Sequence, residues 1–389
     1  MKRLLTFFLI CFSFVEYTRA EDIIDYKYWD EGKLTWDDLQ DTLSLKGVPS
    51  TFNAFLRIEK TEKRDGNTRT IRPEAQACFD KRHSFADRQI QNENLLRLFQ
   101  LKYDLLEMYR RRLQTELNLG VVGIAADNRT RQYMDLYTEQ SKKAEQETEN
   151  GQNEIKLQEW EFYVTKELIE NPAPSIPRIS PRRFGYGFYL GTGASFPVGN
   201  IADYWAPAWQ INVGFDLAYA NTHLLCDFSA GTARTRQEIT VSNGQITDTW
   251  LRNGHNTYTS ISLGIGQQLV STKYFALMPY AGCIWSGYSD QAKIQEGRNE
   301  RTTLSYTNFN WTAGICFDYR FSTTISLVPS FWRGHREIFT ASIRTKLFIN
   351  REQFHNFKIA PDDNGSMLRG CKLGFSVACL GFSRLLQIK

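Results

Sequence analysis

The chain has 389 residues, with 47 Lys+Arg against 43 Asp+Glu, and is long enough for two domains. Beyond the first twenty residues no run reaches the about eighteen apolar residues that a membrane helix needs, so any later membrane crossing must use another architecture. Cys78, Cys226, Cys283, Cys316, Cys371 and Cys379 follow neither a disulfide framework nor a zinc-knuckle spacing, and read as isolated apolar cysteines.

MKRLLTFFLICFSFVEYTRA opens with Lys2 and Arg3, continues through an apolar run from Leu4 to Val15, and ends on small residues around Thr18-Arg19-Ala20. This predicts a secretory signal peptide over residues 1–20. Cys11 lies inside the apolar run behind Ile10, which argues against lipid attachment.

Composition changes near Pro172. Residues 21–172 hold 23 basic and 29 acidic residues; residues 173–389 hold 21 and 13, a balance of +8. Glycine rises from 6 to 20 across the same border. We expect a first domain over 21–170, a Pro-rich linker over 171–183 (NPAPSIPRISPRR) and a second domain over 184–389.

In the first domain, DYKYWDEGKLTWDDLQ precedes a strand-like TFNAFLRIEK at 51–60. Three helices are predicted, at about 85–119, 127–149 and 153–170, with Gly120 ending the first and Asp127 capping the second. On the first, Leu95, Leu98, Phe99, Leu105, Leu106, Tyr109, Leu113 and Leu117 recur at helical spacing. The basic run Arg110–Arg112 reads as a solvated helix face, and no nucleic-acid partner is expected. The fold class is α+β here.

The second domain alternates at period two. In QINVGFDLAYA, Ile211, Val213, Phe215, Leu217 and Tyr219 share one strand face; in NFNWTAGICFDYRF, Phe309, Trp311, Ala313, Ile315, Phe317, Tyr319 and Phe321 do the same. Similar segments fall at about 184–196, 222–234, 257–270, 274–287, 323–332, 338–349 and 372–382, while 351–360 is ambiguous. Tight turns at 220–222, 271–273 and 321–323 alternate with long polar links at 235–254 and 288–302. This pattern predicts an antiparallel transmembrane β-barrel of about 8–10 strands. A soluble β-sandwich is the bland alternative, but the apolar faces are richer in aromatics than a sandwich core requires. On the polar faces Asp216, Asp227, Asp318, Arg320, Arg344 and Lys346 are expected to pair across a filled interior, in preference to a charged conduit.

FGYGFYLGTGASFPVGNIADYWAPAWQINVGFDLAYA resembles the start of small outer-membrane β-barrel proteins of Gram-negative bacteria. In the first domain LTWDDL (34–39), ACFDK (77–81), QLKYDLLEMYRRRL (100–113) and QETENG with Trp160 resemble a family of exported bacterial zinc peptidases, long classed as a domain of unknown function. In that family the long helix carries His-Glu-x-x-His, whose histidines bind zinc and whose Glu activates the bound water. Matched residue by residue, the ligand positions hold Leu98, Lys102 and Asn150 here, and the base position holds Phe99. The resemblance therefore implies a vestigial site with no catalytic residue, no metal and no cofactor. Cys78 and His83 are a poor substitute pair. GTGASFPVG (191–199) lacks the Gly-Lys-Ser/Thr of a phosphate loop.

The resulting expectation is an outer-membrane protein with a periplasmic, peptidase-like domain that binds or scaffolds. Its partners would be outer-membrane lipid and a periplasmic peptide, protein or envelope polymer; the +8 half would suit lipopolysaccharide, and solvated loop arginines are the blander reading of the same charge. A periplasmic hydrolase with a rebuilt site and a surface adhesin acting through its loops are the competing expectations.

Overall fold

The computed structural model describes residues 26–40, 49–242, 247–290, 305–328, 336–354 and 368–388. The expected signal peptide lies outside the described residues, as do 243–246 and 291–302 of the expected long links and 355–360 of the ambiguous segment. The chain divides into two compact units, one containing residues up to Glu59 with Glu74–Ser175, the other Lys60–Pro73 with Ile176–Lys389.

The first unit begins with β1 (Tyr26–Tyr28) and the short β2 (Ser50–Thr51). Strand β3 (Ala54–Asp65) and β4 (Thr68–Asp80) form a hairpin, followed by β5 (Phe85–Ala86). Gly66 has φ +60°, the left-handed conformation that a tight hairpin turn requires and that glycine adopts without a Cβ penalty. Three helices follow: α1 (Glu93–Leu119), α2 (Ile124–Glu147) and α3 (Glu154–Glu170).

Helix α1 starts eight residues later than the expectation, because residues 85–86 pair with β2 and the Asn92 side chain caps the helix by accepting from Leu95 N at 2.8 Å. It ends at Gly120. Gly123, not Asp127, caps α2; Asp127 sits in its first turn, where a carboxylate favours the helix dipole. All eight residues of the expected α1 stripe are buried, and so are Leu101, Tyr103 and Met108. A helix apolar on nearly every side belongs at the centre of a core. It packs against Leu56, Ala77 and Phe79 of the hairpin, Tyr137 and Ala144 of α2, and Leu157 and Val164 of α3.

Arg112 is exposed, as a solvated face requires, but Arg110 and Arg111 are half-buried and paired, which corrects the expectation for those two. Arg110 and Arg111 both clamp the buried Glu107, at 2.5 and 2.8 Å, and Arg112 meets Glu167 at 3.0 Å. A buried carboxylate needs such partners to stay charged.

The second unit is a ring of long strands. In chain order these are β6 (Ile179–Gly199), β7 (Ala208–Tyr219), β8 (Thr222–Arg234), the small hairpin β9 (Ile239–Ser242) and β10 (Thr247–Trp250), β11 (His255–Gln267), the two-residue β12 (Val270–Ser271), β13 (Phe275–Asp290), β14 (Ser305–Ser326), β15 (Glu337–Phe354) and β16 (Leu368–Ile388). Eight of them close on themselves, each antiparallel to its neighbours, in the order β6-β7-β8-β11-β13-β14-β15-β16 and back to β6. Closure pairs Gly370 with Gly199 at one end and Ile388 with Ile179 at the other.

Two boundaries differ from the sequence reading. The ring begins at Ile179, inside the stretch expected as linker, because Ile179–Pro181 pair with Leu386–Ile388. The tight turn expected at 321–323 is absent. Strand β14 runs through it to Ser326, and the register against β15 shifts between Arg320 and Ser322. A bulge bends a strand without reversing it, so two expected strands are one. The hairpin tip, residues 60–73, adds to this unit: Thr68–Ile71 run parallel to Thr323–Ser326.

Candidate functional site

The ring's interior is a stack of charge clusters. In the first, Arg344 on β15 donates from Nε and Nη2 to both carboxylate oxygens of Asp318, at 2.7 and 2.8 Å. Its Nη2 also reaches Asp216 Oδ2 at 2.7 Å, and His223 Nδ1 lies 2.7 Å from Asp216 Oδ1. In the second, Lys346 Nζ meets Asp227 Oδ2 at 2.7 Å and stands 4.8 Å from the Tyr280 ring centroid. The Tyr189 hydroxyl donates to the same carboxylate, as does Ser262 Oγ at 3.2 Å. In the third, Lys372 Nζ lies 2.8 Å from Glu352 and 3.6 Å from the Tyr258 ring centroid.

These groups are closed off from solvent: Asp216 is 0 % exposed, Arg344 1 % and Lys372 0 %. Strand alternation explains why they meet, since every second side chain points inward. Glycine supplies the room. Gly214 stands opposite Tyr189 and Gly314 opposite Tyr280, and a Cβ at either would overlap the tyrosine ring. Beside the second cluster lies a cavity of about 30 Å³, lined by Asn212, Asp227, Ser260 and Thr312 among others. That is room for one water.

The outside is the reverse. Trp209, Ile211, Phe215, Phe309 and Leu347 are all more than half exposed, and they sit on strands whose opposite faces carry the buried charges.

Five of the six interior charges read from the sequence are brought together: Asp216, Asp227, Asp318, Arg344 and Lys346 are all buried and paired. Arg320 stands apart. It lies beside the bulge, only partly buried, and its Nη1 donates to the backbone oxygen of Thr272 at 2.7 Å. His223, Glu352 and Lys372 escape the sequence reading. The signal for Glu352 is present, since it continues the even-numbered face of Arg344 and Lys346, but the expected strand stops at residue 349.

In the first unit the four positions expected as a vestigial zinc site fall in the core and on the α1–α2 seam. Leu98 and Phe99 are core residues. Lys102 is buried, ion-paired with Glu145 at 2.5 Å and 4.6 Å from the Phe52 ring centroid. Asn150 is exposed in a left-handed turn at φ +58°, its N–H donating to Glu145 O at 2.9 Å. The turn comes close to α1, since a Cβ on Gly151 would lie 3.0 Å from Asn94 O. Lys102 and Asn150 are therefore joined through Glu145, on the α1–α2 seam.

The residues around these positions are structural. Gln100 accepts from Leu34 N at 2.8 Å and donates to Asp104 at 2.7 Å; Trp29 Nε1 donates to Asp104 at 2.8 Å. Burial holds the Asp104 carboxyl above its usual range despite both donors. Cys78 is buried, which pushes its thiol up to about 12, and His83 is exposed with Nδ1 on Asp80 at 2.8 Å. Among the described residues no group of three or more His, Cys, Asp or Glu could hold a metal ion.

No family model matches the sequence, and no curated protein matches it. Among solved structures, the chain is similar to Ail, the attachment invasion locus protein of Yersinia pestis, at 8 % identity and TM-score 0.27, covering 52 % of this chain and 99 % of that one. It is also similar to the outer membrane protein OprG from Pseudomonas aeruginosa (9 %, TM-score 0.28, 54 % and 99 % covered). A major outer membrane protein from Thermus thermophilus matches at 11 % with TM-score 0.23, covering 51 % and 98 %. These neighbours are outer-membrane proteins; at such scores they carry no argument about what this chain does.

Proposed function

We propose that the chain is an outer-membrane β-barrel protein whose first unit is a periplasmic, non-catalytic domain used for binding or scaffolding. One observation carries the membrane reading: the ring is inverted. Its ion pairs are inside, and large aromatic and aliphatic side chains cover its outside. In water that arrangement is unfavourable, since each exposed Phe or Leu forgoes about 1.5–3 kcal/mol of burial. In a bilayer the outer face is solvated by lipid, and closure leaves no strand edge unpaired in hydrocarbon. Short turns belong to the periplasmic side of such barrels. That is the side where β7 turns into β8 and where the ring's first strand begins.

The scaffolding reading of the first unit rests on the peptidase resemblance together with Leu98, Phe99, Lys102 and Asn150 at the positions of the zinc machinery. A helix that has become the centre of a core keeps its packing role without its chemistry. Lipopolysaccharide is the proposed contact of the basic second half, and a peptide, protein or envelope polymer that of the first.

Fractionation of a Gram-negative host expressing the full chain tests the membrane reading. The chain should sediment with the outer membrane and migrate faster on a detergent gel before boiling than after it. Recovery in the soluble periplasmic fraction without detergent would reject it. Crosslinking in the same cells, followed by identification of what attaches to residues 26–175, tests the binding role. A first unit that captures nothing above a barrel-only control would count against it.

A further inference from the structure

A cup of about 390 Å³ opens at the short-turn end of the ring. Arg344, His223 and Asp318 from the first interior cluster line it. Arg344 Nη1 and His223 Nε2 are buried and have no hydrogen-bond partner among the described residues. Buried polar atoms are ordinarily satisfied, so these two leave hydrogen-bonding capacity unused beside the cavity.

Two further guanidinium groups line the cup. Arg320 is steered by Thr272 O at 2.7 Å, and Arg384 by Ala220 O at 2.5 Å. Both carbonyls belong to turns, so each guanidinium is held in place, and among the described residues neither has a carboxylate ion-pair partner. The cup's own carboxylate, Asp318, is already taken by Arg344. Lys273 adds a fourth cation, its only described carboxylate partner being the exposed Asp65 at 3.3 Å. Phe382 and Leu380 give the cup one apolar side.

We infer that this cup binds a small dianionic phosphate ester. Two unneutralised guanidinium forks match the oxygens of a phosphate in geometry and charge. A dianion answers the surplus positive charge better than a single carboxylate would, and the apolar side accommodates an organic remainder. The volume lies within the range of small-molecule sites. The same headgroup chemistry occurs in a soluble ester and in a phosphate-monoester lipid, and the test separates the two.

The probe is glycerol phosphate, titrated calorimetrically into the full chain in nonionic detergent. Saturable binding at one site is expected. Arg320→Gln with Arg384→Gln should weaken it by about tenfold to hundredfold or abolish it, as expected for loss of charge-assisted hydrogen bonds. Arg131→Gln with Lys142→Gln, which removes two charges from α2, should leave it unchanged. Gel migration before and after boiling reports whether each variant is folded. Should the Gln pair fail to fold, Arg320→Lys with Arg384→Lys keeps the charge and removes the forks, and must still weaken binding. Displacement by micelles doped with phosphatidic acid, but not phosphatidylcholine, assigns the site to a lipid headgroup; no displacement assigns it to a free ester. The inference is overturned if neither probe binds, if the arginine variants bind like the parent, or if the α2 variants lose binding equally. None of these results depends on where the chain sediments in cells.

Discussion

Lys346 and Asp227 form a pair that neither residue could replace alone. Each is buried, their contact is 2.7 Å, and Tyr189 and Ser262 complete the carboxylate's hydrogen bonds. Lys346→Met leaves Asp227 charged and without its cation, and should lower unfolding stability by about 3–5 kcal/mol. Lys346→Met with Asp227→Leu removes both charges and should recover most of that loss. Urea unfolding in detergent, followed by tryptophan fluorescence, measures both; an unchanged midpoint for the single variant would show that the pair contributes nothing. Lys102 is the corresponding case in the first unit, held by Glu145 where the resembled family has a histidine. The full chain dialysed against zinc and then buffer should retain no stoichiometric metal. Leu98→His, Phe99→Glu, Lys102→His and Asn150→His together should gain about one zinc per chain, because three ligands and an open position define a catalytic site. Tight zinc in the parent, or peptide cleavage that a chelator stops, would end the pseudo-peptidase reading.

The β3–β4 hairpin is the element whose role sequence patterning does not announce. Its tip docks by backbone bonds: Thr323 N donates to Asn67 O and Leu327 N to Ile71 O, both at 2.8 Å. Asn67 Nδ2 adds a bond to Arg320 O at 3.0 Å. Replacing residues 62–71 by a two-residue turn removes every one of these acceptors and donors. Hydrogen exchange should then show Thr323 and Leu327 losing protection while residues 312–319, held by β13 and β15, keep theirs. Protection that survives at Thr323 and Leu327 would mean that the tip does not hold this part of β14. The bulge after Arg320 belongs to the same place. Arg320 itself keeps the interior register of Asp318, opposite Ser342, and lines the cup.

At the scale of the molecule, the proposed orientation makes a protease experiment decisive. Links 235–254 and 288–302 leave the opposite end of the ring from the 220–222 turn, so they face outward when the turn is periplasmic. Protease added to intact cells should cut within those links and spare residues 26–175. Cleavage within α2 before the outer membrane is permeabilised would reverse the orientation.

Period-two alternation and the 3.6-residue stripe of α1 are local properties, and the sequence by itself determined them: which side chains share a face, where helix α1 ends at Gly120, and that Asp216, Asp227, Asp318, Arg344 and Lys346 lie opposite the aromatics. Tertiary structure alone decided the rest, because pairing partners are set by register and closure across long stretches of chain. Arg344 meets Asp216 at a separation of 128 residues, and no window of sequence contains both. Closure of β16 on β6 fixed the number of strands at eight, and a bulge made one strand of two expected ones. Lys102 found a carboxylate on another helix, and among the described residues Arg320 pairs with none. A face can be read from a single strand; what that face meets depends on how the whole ring closes.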